Sequence, residues 1–203
     1  MPSLADVRDW TNRIGDLGYT AVRTNALTAG VGRQMESAGY VVLQDLVLLE
    51  HTTPRNIRSH EASAAAPRTT HSLDSNQLTA ASAVDLAAFG TQWGLSATAI
   101  ADACKATPRY RLRGIGEPLA GYAVSGRDGS QGFLQRLSVA PDHQRRGLGR
   151  ALVVDSLVWM ARWRVQRVLV NTALDNDAAL SLYQGLGFRR VGDHLRVYER
   201  ALP

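Results

Sequence analysis

Cysteine is almost absent from the 203 residues, Cys104 being the single one. That excludes an intramolecular disulfide framework and a cysteine-based metal site. A lone thiol reads first as a small buried hydrophobe, with a catalytic nucleophile as the weaker alternative. Histidines are sparse too: His51, His60, His71, His143 and His194 stand without the short spacings that place two imidazoles on one face, so no metal is expected. Long uncharged apolar runs are missing, which speaks against a membrane span. The first residues, Met1-Pro2-Ser3-Leu4-Ala5-Asp6, lack a basic stretch leading into an apolar core, and the expectation is a cytoplasmic protein with no membrane partner. Aromatic residues are only 6% of the chain and are not interleaved with its arginines. The formal charge of +5 therefore reads as solvated surface plus a local anion site, with no nucleic-acid partner expected.

What the chain does have is a 45% hydrophobic content, enough for a substantial core, and one stretch of dense local information. Leu137-Ser138-Val139-Ala140-Pro141 ends an alternating apolar segment that includes Phe133. Asp142-His143-Gln144-Arg145-Arg146-Gly147-Leu148-Gly149-Arg150 follows, and then a helix-length apolar run from Ala151 to Trp163. The pattern predicts strand, loop, helix. The start of a helix carries unpaired backbone N–H groups and partial positive charge, which suits a phosphate. Gly147 and Gly149 permit close backbone approach, and Gln144, Arg145, Arg146 and Arg150 add donors and charge. By itself such a turn is better read as an ordinary junction with a solvated basic face.

A second cluster lies about thirty residues downstream: Val170-Asn171-Thr172, Asn176, Ala179, Leu182-Tyr183 and Leu186-Gly187-Phe188. Gln144-Arg145-Arg146-Gly147-Leu148-Gly149, preceded by Val139-Ala140-Pro141, resembles the Gln/Arg-x-x-Gly-x-Gly/Ala signature of the GNAT (GCN5-related N-acetyltransferase) superfamily. The downstream cluster is similar to that family's Asn-x-x-Ala-x-x-Leu-Tyr-x-x-x-Gly-Phe signature. The resemblance implies a mixed α/β fold with a largely antiparallel sheet flanked by helices. It also implies acetyl-CoA as cosubstrate and a primary amine as acceptor, either a small molecule or a protein N-terminus or lysine.

Residue roles follow from the resemblance in the same way. The loop from Gln144 to Arg150, Leu148 included, is expected to hold the coenzyme pyrophosphate. The strand carrying Leu137 and Val139 is expected to pair with the pantetheine arm, with a backbone N–H nearby polarising the thioester carbonyl. Asn176 is expected to touch the pantetheine region, a helix cap being its structural alternative. Tyr183 matches the tyrosine that serves as general acid toward the coenzyme sulfur, a core aromatic being its structural alternative. Many members place a glutamate on the strand before the pyrophosphate loop, but Phe133-Leu134-Gln135-Arg136 stand there. A water chain, a residue from another element and an acceptor arriving neutral all remain open as the base. A non-catalytic acyl-CoA-binding regulatory module is the alternative to the enzyme.

Along the chain, Leu4, Val7, Ile14 and Leu17 predict a helical face, Tyr19 to Thr24 a strand, Val31 to Ala38 a helix ended by Gly39, and Tyr40 to Leu49 a strand. Placing Val22-Arg23-Thr24 on Val170-Asn171-Thr172 sets Gly39-Tyr40 on Gly187-Phe188 and Asp45 on Asp193 without a gap. A one-residue shift then sets Leu46 on Leu195 and Glu50 on Glu199. Residues 1–50 thus read as a degenerate half-copy, with Thr28 in place of Asn176 and Met35 in place of Tyr183; an unrelated extension of similar periodicity is the alternative. Residues 51–67 read as a linker, and 68–203 as the catalytic domain. A short strand is expected near Arg68 to Leu73, helices over Leu78 to Phe89 and Ser96 to Ala106, then strands at Arg109 to Arg113, Leu119 to Ser125 and Phe133 to Val139. A helix from Gly147 to about Arg164, a strand from Val165 to Ala173, a helix around Ala179 to Leu186 and two closing strands complete the reading. Monomer and homodimer are both compatible with it, the half-copy standing where a dimer contact would be.

Overall fold

The computed structural model describes residues 2–52, 69–192 and 194–202. Most of the expected linker, from residue 53 onward, lies outside the described residues. The chain divides into two compact units, Met1–Leu49 with Asn171–Leu180 and Arg190–Pro203, and Glu50–Val170 with Ser181–Arg189.

In the first unit, Ser3 starts α1 (Leu4–Asp16) with a reciprocal cap. The Asp6 N–H donates to Ser3 Oγ at 3.2 Å and the Ser3 N–H donates to Asp6 Oδ2 at 2.7 Å, satisfying donors that the helix itself cannot. Only Val7 and Thr11 of this helix are buried, and Leu17, expected on the inner face, is 75% exposed because the helix ends one residue before it. β1 (Ala21–Arg23), β2 (Leu27–Thr28), α2 (Ala29–Ser37) and β3 (Val41–His51) follow. The last strand of the chain, β10 (Leu195–Ala201), pairs antiparallel with β1 and β2 on one side and with β3 on the other. Val7, Met35, Ala38, Tyr40 and Tyr198 form the buried core between helices and strands. Gly32 lies against Tyr198, and a side chain there would overlap the phenol. Gly32→Leu is therefore expected to cost about 1–3 kcal/mol, read as a lowered midpoint in urea with an unchanged slope.

The second unit begins its sheet with β4 (Thr70–Ser72), inside the stretch expected to hold a strand. β5 (Arg109–Ile115), β6 (Gly121–Asp128) and β7 (Gln131–Val139) continue it as an antiparallel meander, and β8 (Arg167–Ala173) joins parallel to β7. Alternation along β6 sorts the two faces. Tyr122 and Val124 pack with Ala81 and Val84 of α3 (Leu78–Trp93) and with Ile100 and Cys104 of α4 (Ala97–Lys105). Ala123 points the other way, into a cluster with Leu148 and Leu152 of α5 (Leu148–Arg162). The first of the expected helices runs four residues longer than its pattern suggested, but it is broken at Gly90, whose φ of 70° lies outside helical space. A side chain is strained at that φ, so glycine marks the break. α6 (Asp177–Gly185) and β9 (Arg189–Arg190) precede β10. The architecture is mixed α/β, with a largely antiparallel sheet flanked by helices, as expected.

The spacing that sets Val22-Arg23-Thr24 on Val170-Asn171-Thr172 also sets α2 on α6 residue for residue. Their ends match in detail. The Tyr40 N–H donates to Met35 O at 3.0 Å, and the Phe188 N–H donates to Tyr183 O at 3.0 Å. Gly39 and Gly187 supply the left-handed residue of the same cap, at φ 83° and 91°. The starts differ: Asn176 Oδ1 accepts from the Ala179 N–H at 3.1 Å, whereas Thr28 makes no side-chain cap.

Candidate active site

β7 ends at Val139, and a tight turn over Pro141–His143 leads into the loop. Gln144 Nε2 donates to Val139 O at 3.1 Å, which closes the turn back onto the strand. Arg145 takes φ 57° and Gly147 φ 80°, so two left-handed residues alternate with ordinary ones just before α5. That alternation turns successive N–H groups toward one concavity, a geometry that favours anions. The first N–H of the helix ladder to be used is that of Ala151, which donates to Gly147 O at 3.0 Å. Leu148, Gly149 and Arg150 therefore present first-turn N–H groups with no intrahelical acceptor. Arg145 and Arg146 are exposed around them and Arg150 is half-buried.

The β-ladder explains what lies beside this loop. Parallel pairing of β7 with β8 covers only Gln131 to Phe133 against Arg167 to Leu169. From Leu134 to Val139, β7 has no ladder partner on that side among the described residues, so main-chain donors and acceptors stand open there. On the β6 side the register shifts between Val124 and Ser125, facing Arg136 and Leu134 respectively, which leaves Gln135 as an inserted residue. Such a bulge bends the strand and re-aims its peptide groups.

Leu137, Val139, Gly149 and Leu182 converge. A Cβ built on Gly149 would lie 3.4 Å from Leu182 Cδ2, 3.8 Å from Val139 Cγ2 and 3.9 Å from Leu137 Cδ2. The helix segment carrying Leu182 and Tyr183 is thus seated against the first turn of α5. Tyr183 is 4% exposed, and its ring centroid lies 5.5 Å from that of Phe188. Its hydroxyl has no hydrogen-bond partner among the described residues and is not sealed from solvent. Burial pushes the phenol far above its ordinary range, against a smaller downward pull from the Arg136 charge. Tyr122 is also pushed up, first by burial and then by the charge of Asp85. Both phenols therefore hold their protons more tightly folded than unfolded, where the pKa is about 10. Their contribution to stability is complete below pH 10 and is lost as pH rises above it. Urea unfolding between pH 9 and 11 is expected to show this decline, and Tyr183→Phe to lessen it.

The pairing of Asp85 with Arg136 and Tyr122 was not read from the sequence. Asp85, fully buried on α3, accepts from Tyr122 Oη at 2.8 Å and from the Leu95 N–H at 2.7 Å. It also accepts from Arg136 Nε at 2.9 Å and Arg136 Nη2 at 2.6 Å. Four donors use the roughly four acceptor sites of a carboxylate. The signal was there: one acid in the apolar run Ala80 to Phe89, and one arginine among the inward-facing positions of β7. Arg136 occupies the region where a glutamate base was sought, and it faces this acid. Cys104 is buried, and burial pushes its thiol up, so it packs as a small hydrophobe. Asn176 lies in the first unit, where its side chain caps α6. Among the described residues no three His, Cys, Asp or Glu side chains gather as a metal site would, and no helix is long and apolar enough to cross a membrane.

Comparison with known proteins agrees with this geometry. Residues 108–188 match the model of the acetyltransferase (GNAT) family. The chain is 41% identical over 87 residues to the N-alpha-acetyltransferase RimI of Mycobacterium tuberculosis, covering 41% of this chain and 53% of that protein. It is 38% identical over 65 residues to mouse N-acetyltransferase family 8 member 3, covering 32% of this chain and 29% of that one. The chain therefore spans about half the length of the first relative or less than a third of the second. Among solved structures, the ribosomal-protein-S18-alanine N-acetyltransferase of Escherichia coli superposes with a TM-score of 0.57 at 23% identity, over 66% of this chain and 94% of that one. A tandem GNAT protein from the clavulanic acid biosynthesis pathway superposes with a TM-score of 0.69 at 15% identity, over 97% of this chain and 69% of that one. These two likenesses are of fold. The strand, loop and helix that carry the chain's densest sequence signals all lie within residues 108–188, the span that matches the acetyltransferase (GNAT) family.

Proposed function

We propose that the protein is an acetyl-CoA-dependent N-acetyltransferase acting on the α-amine of a polypeptide. The observation that carries this is the convergence, in one compact unit, of an anion-suited helix start with an open strand edge and a buried phenol whose hydroxyl has no partner among the described residues. The loop from Gln144 to Gly147 and the N–H groups of Leu148, Gly149 and Arg150 hold the pyrophosphate, with Arg145, Arg146 and Arg150 around it. The open edge of β7 near Leu137 and Val139 takes the pantetheine arm as a strand takes a neighbour. Acetyl-CoA, when bound, supplies the acyl carbon that the amine attacks, forming the C–N bond as the C–S bond breaks. A main-chain N–H at the bulge of β7 donates to the carbonyl oxygen as charge develops on it. Tyr183 gives its proton to the departing thiolate, and the proton that the acylated nitrogen sheds returns through solvent to the phenolate, so that none is gained or lost over the cycle.

With the acceptor sites of Asp85 all engaged, this carboxylate has none left for an amine proton, which favours, of the three routes left open by the sequence, an acceptor that enters neutral. An α-amine, with a pKa of about 7.7–8.0, does so near pH 8 far more readily than a lysine at about 10.4. The relatives named N-alpha-acetyltransferases favour the same acceptor class. The degenerate half-copy at residues 1–50 has Met35 where Tyr183 stands and contributes no second centre.

Coenzyme binding tests the reading. Acetyl-CoA is expected to raise the melting temperature in a saturable way. Gly147→Val forces a β-branched residue into a left-handed position, and Gly149→Phe drives a ring into Leu182. Each is expected to weaken acetyl-CoA at least about tenfold, equivalent to roughly 1.4 kcal/mol. A thermal scan in which acetyl-CoA leaves the wild-type protein unmoved removes both the enzyme and a mere acyl-CoA-binding module.

A further inference from the structure

Arg136 has more hydrogen-bonding capacity than its buried partner uses. Its Nε and Nη2 hold Asp85, and Nη2 also donates to Trp93 O at 2.8 Å. The Phe89 ring covers one face of the guanidinium, 3.7 Å from Cζ. Nη1, with two further N–H groups, has no acceptor among the described residues and is not sealed from solvent. The side chain keeps 18% of its surface exposed while Asp85 keeps none. The fork is thus fixed on one edge and open on the other.

Its position matters. Arg136 follows the inserted Gln135 on β7, in the part of the strand that β8 no longer covers. Its charge draws the Tyr183 phenol down, against the larger upward push of burial. It also ties down the broken end of α3, through Phe89 and Trp93 on one side and, by way of Asp85, Leu95 on the other. A rigid donor pair beside the open strand is placed to read an oxygen on the acceptor close to its amine.

Resting on the function proposed above, we infer that Arg136 is a specificity-determining residue of the acceptor site: Nη1 donates to the first carbonyl oxygen of the acceptor, next to its α-amine. An arginine fork suits this because one edge stays on its carboxylate while the other binds. Lysine at the same place has one ammonium for both tasks. Asp85 is the positioning residue that holds the fork in orientation.

The test compares two peptides with acetyl-CoA: one beginning with alanine, and its isostere in which the first peptide bond is a trans alkene. The isostere keeps the shape, removes the oxygen together with the amide N–H, and leaves the amine more basic, so kcat/KM is compared per concentration of neutral amine. Wild-type kcat/KM is expected to favour the natural peptide by about 10- to 100-fold, the range for a hydrogen bond to a charged group. In Arg136→Lys, and in the double variant Asp85→Asn with Arg136→Gln, the ratio is expected to fall below about threefold, with acetyl-CoA binding preserved. The lysine variant keeps a partner for Asp85, so the test does not depend on the double variant folding. Equal rates for both peptides in the wild type overturn this inference and leave the acetyltransferase reading standing. So does a Lys variant that binds acetyl-CoA and keeps the wild-type ratio. Absence of transfer to either peptide overturns both.

Discussion

Tyr183→Phe is expected to lower turnover by about 10²–10⁴-fold, the usual weight of a positioned general acid, and to leave acetyl-CoA affinity within about twofold. The substitution is nearly free of structural cost. The ring remains packed against Phe188, and the hydroxyl it removes hydrogen-bonds no described residue. A lowered kcat with an unchanged coenzyme Kd therefore isolates proton delivery to the thiolate. Turnover that survives intact assigns Tyr183 to packing, the alternative its place on an apolar helix face always allowed.

Removing residues 1–50 is expected to leave a chain without cooperative unfolding. Both neighbours of β10 come from this segment, β1 and β2 on one side and β3 on the other. Two bare edges on one strand invite aggregation. The segment also supplies Val7, Met35, Tyr40, Leu46, Val47 and Leu49 as buried side chains. Four of the five buried residues in the core around Tyr198 go with the segment, so β10 loses the apolar surface it packs against as well as its strand partners. Expression of residues 51–203 followed by circular dichroism on heating checks this. A soluble product with a sharp melting transition contradicts it.

The meander, α5 and the loop before it were readable because their signals are local: alternation, a proline stop, glycines and a capped apolar run. Tyr183 and the loop were readable as partners only through the resemblance, since nothing in their spacing says that Leu182 touches Gly149. The reading of residues 1–50 as a half-copy rests on few identities; the left-handed caps at Gly39 and Gly187 are backbone features that sequence identity expresses weakly. The pairing of Asp85 with Arg136 joins residues 51 positions apart, and no local period predicts such a contact. The bulge at Gln135 was hidden for a related reason. An inserted residue is a property of two strands in register, and the alternation of β7 alone does not show it. Gly90 was visible as a glycine but not as a break, because Phe89 to Trp93 keeps enough apolar character to read as continuing helix.

Amine-dependent release of free coenzyme thiol from acetyl-CoA tests the central claim most directly. With a peptide beginning with alanine at pH 8, the account predicts thiol release proportional to enzyme, one acetyl group gained per thiol freed, and loss of the signal in Gly149→Phe. Saturable acetyl-CoA binding with no thiol release on any free α-amine would contradict it.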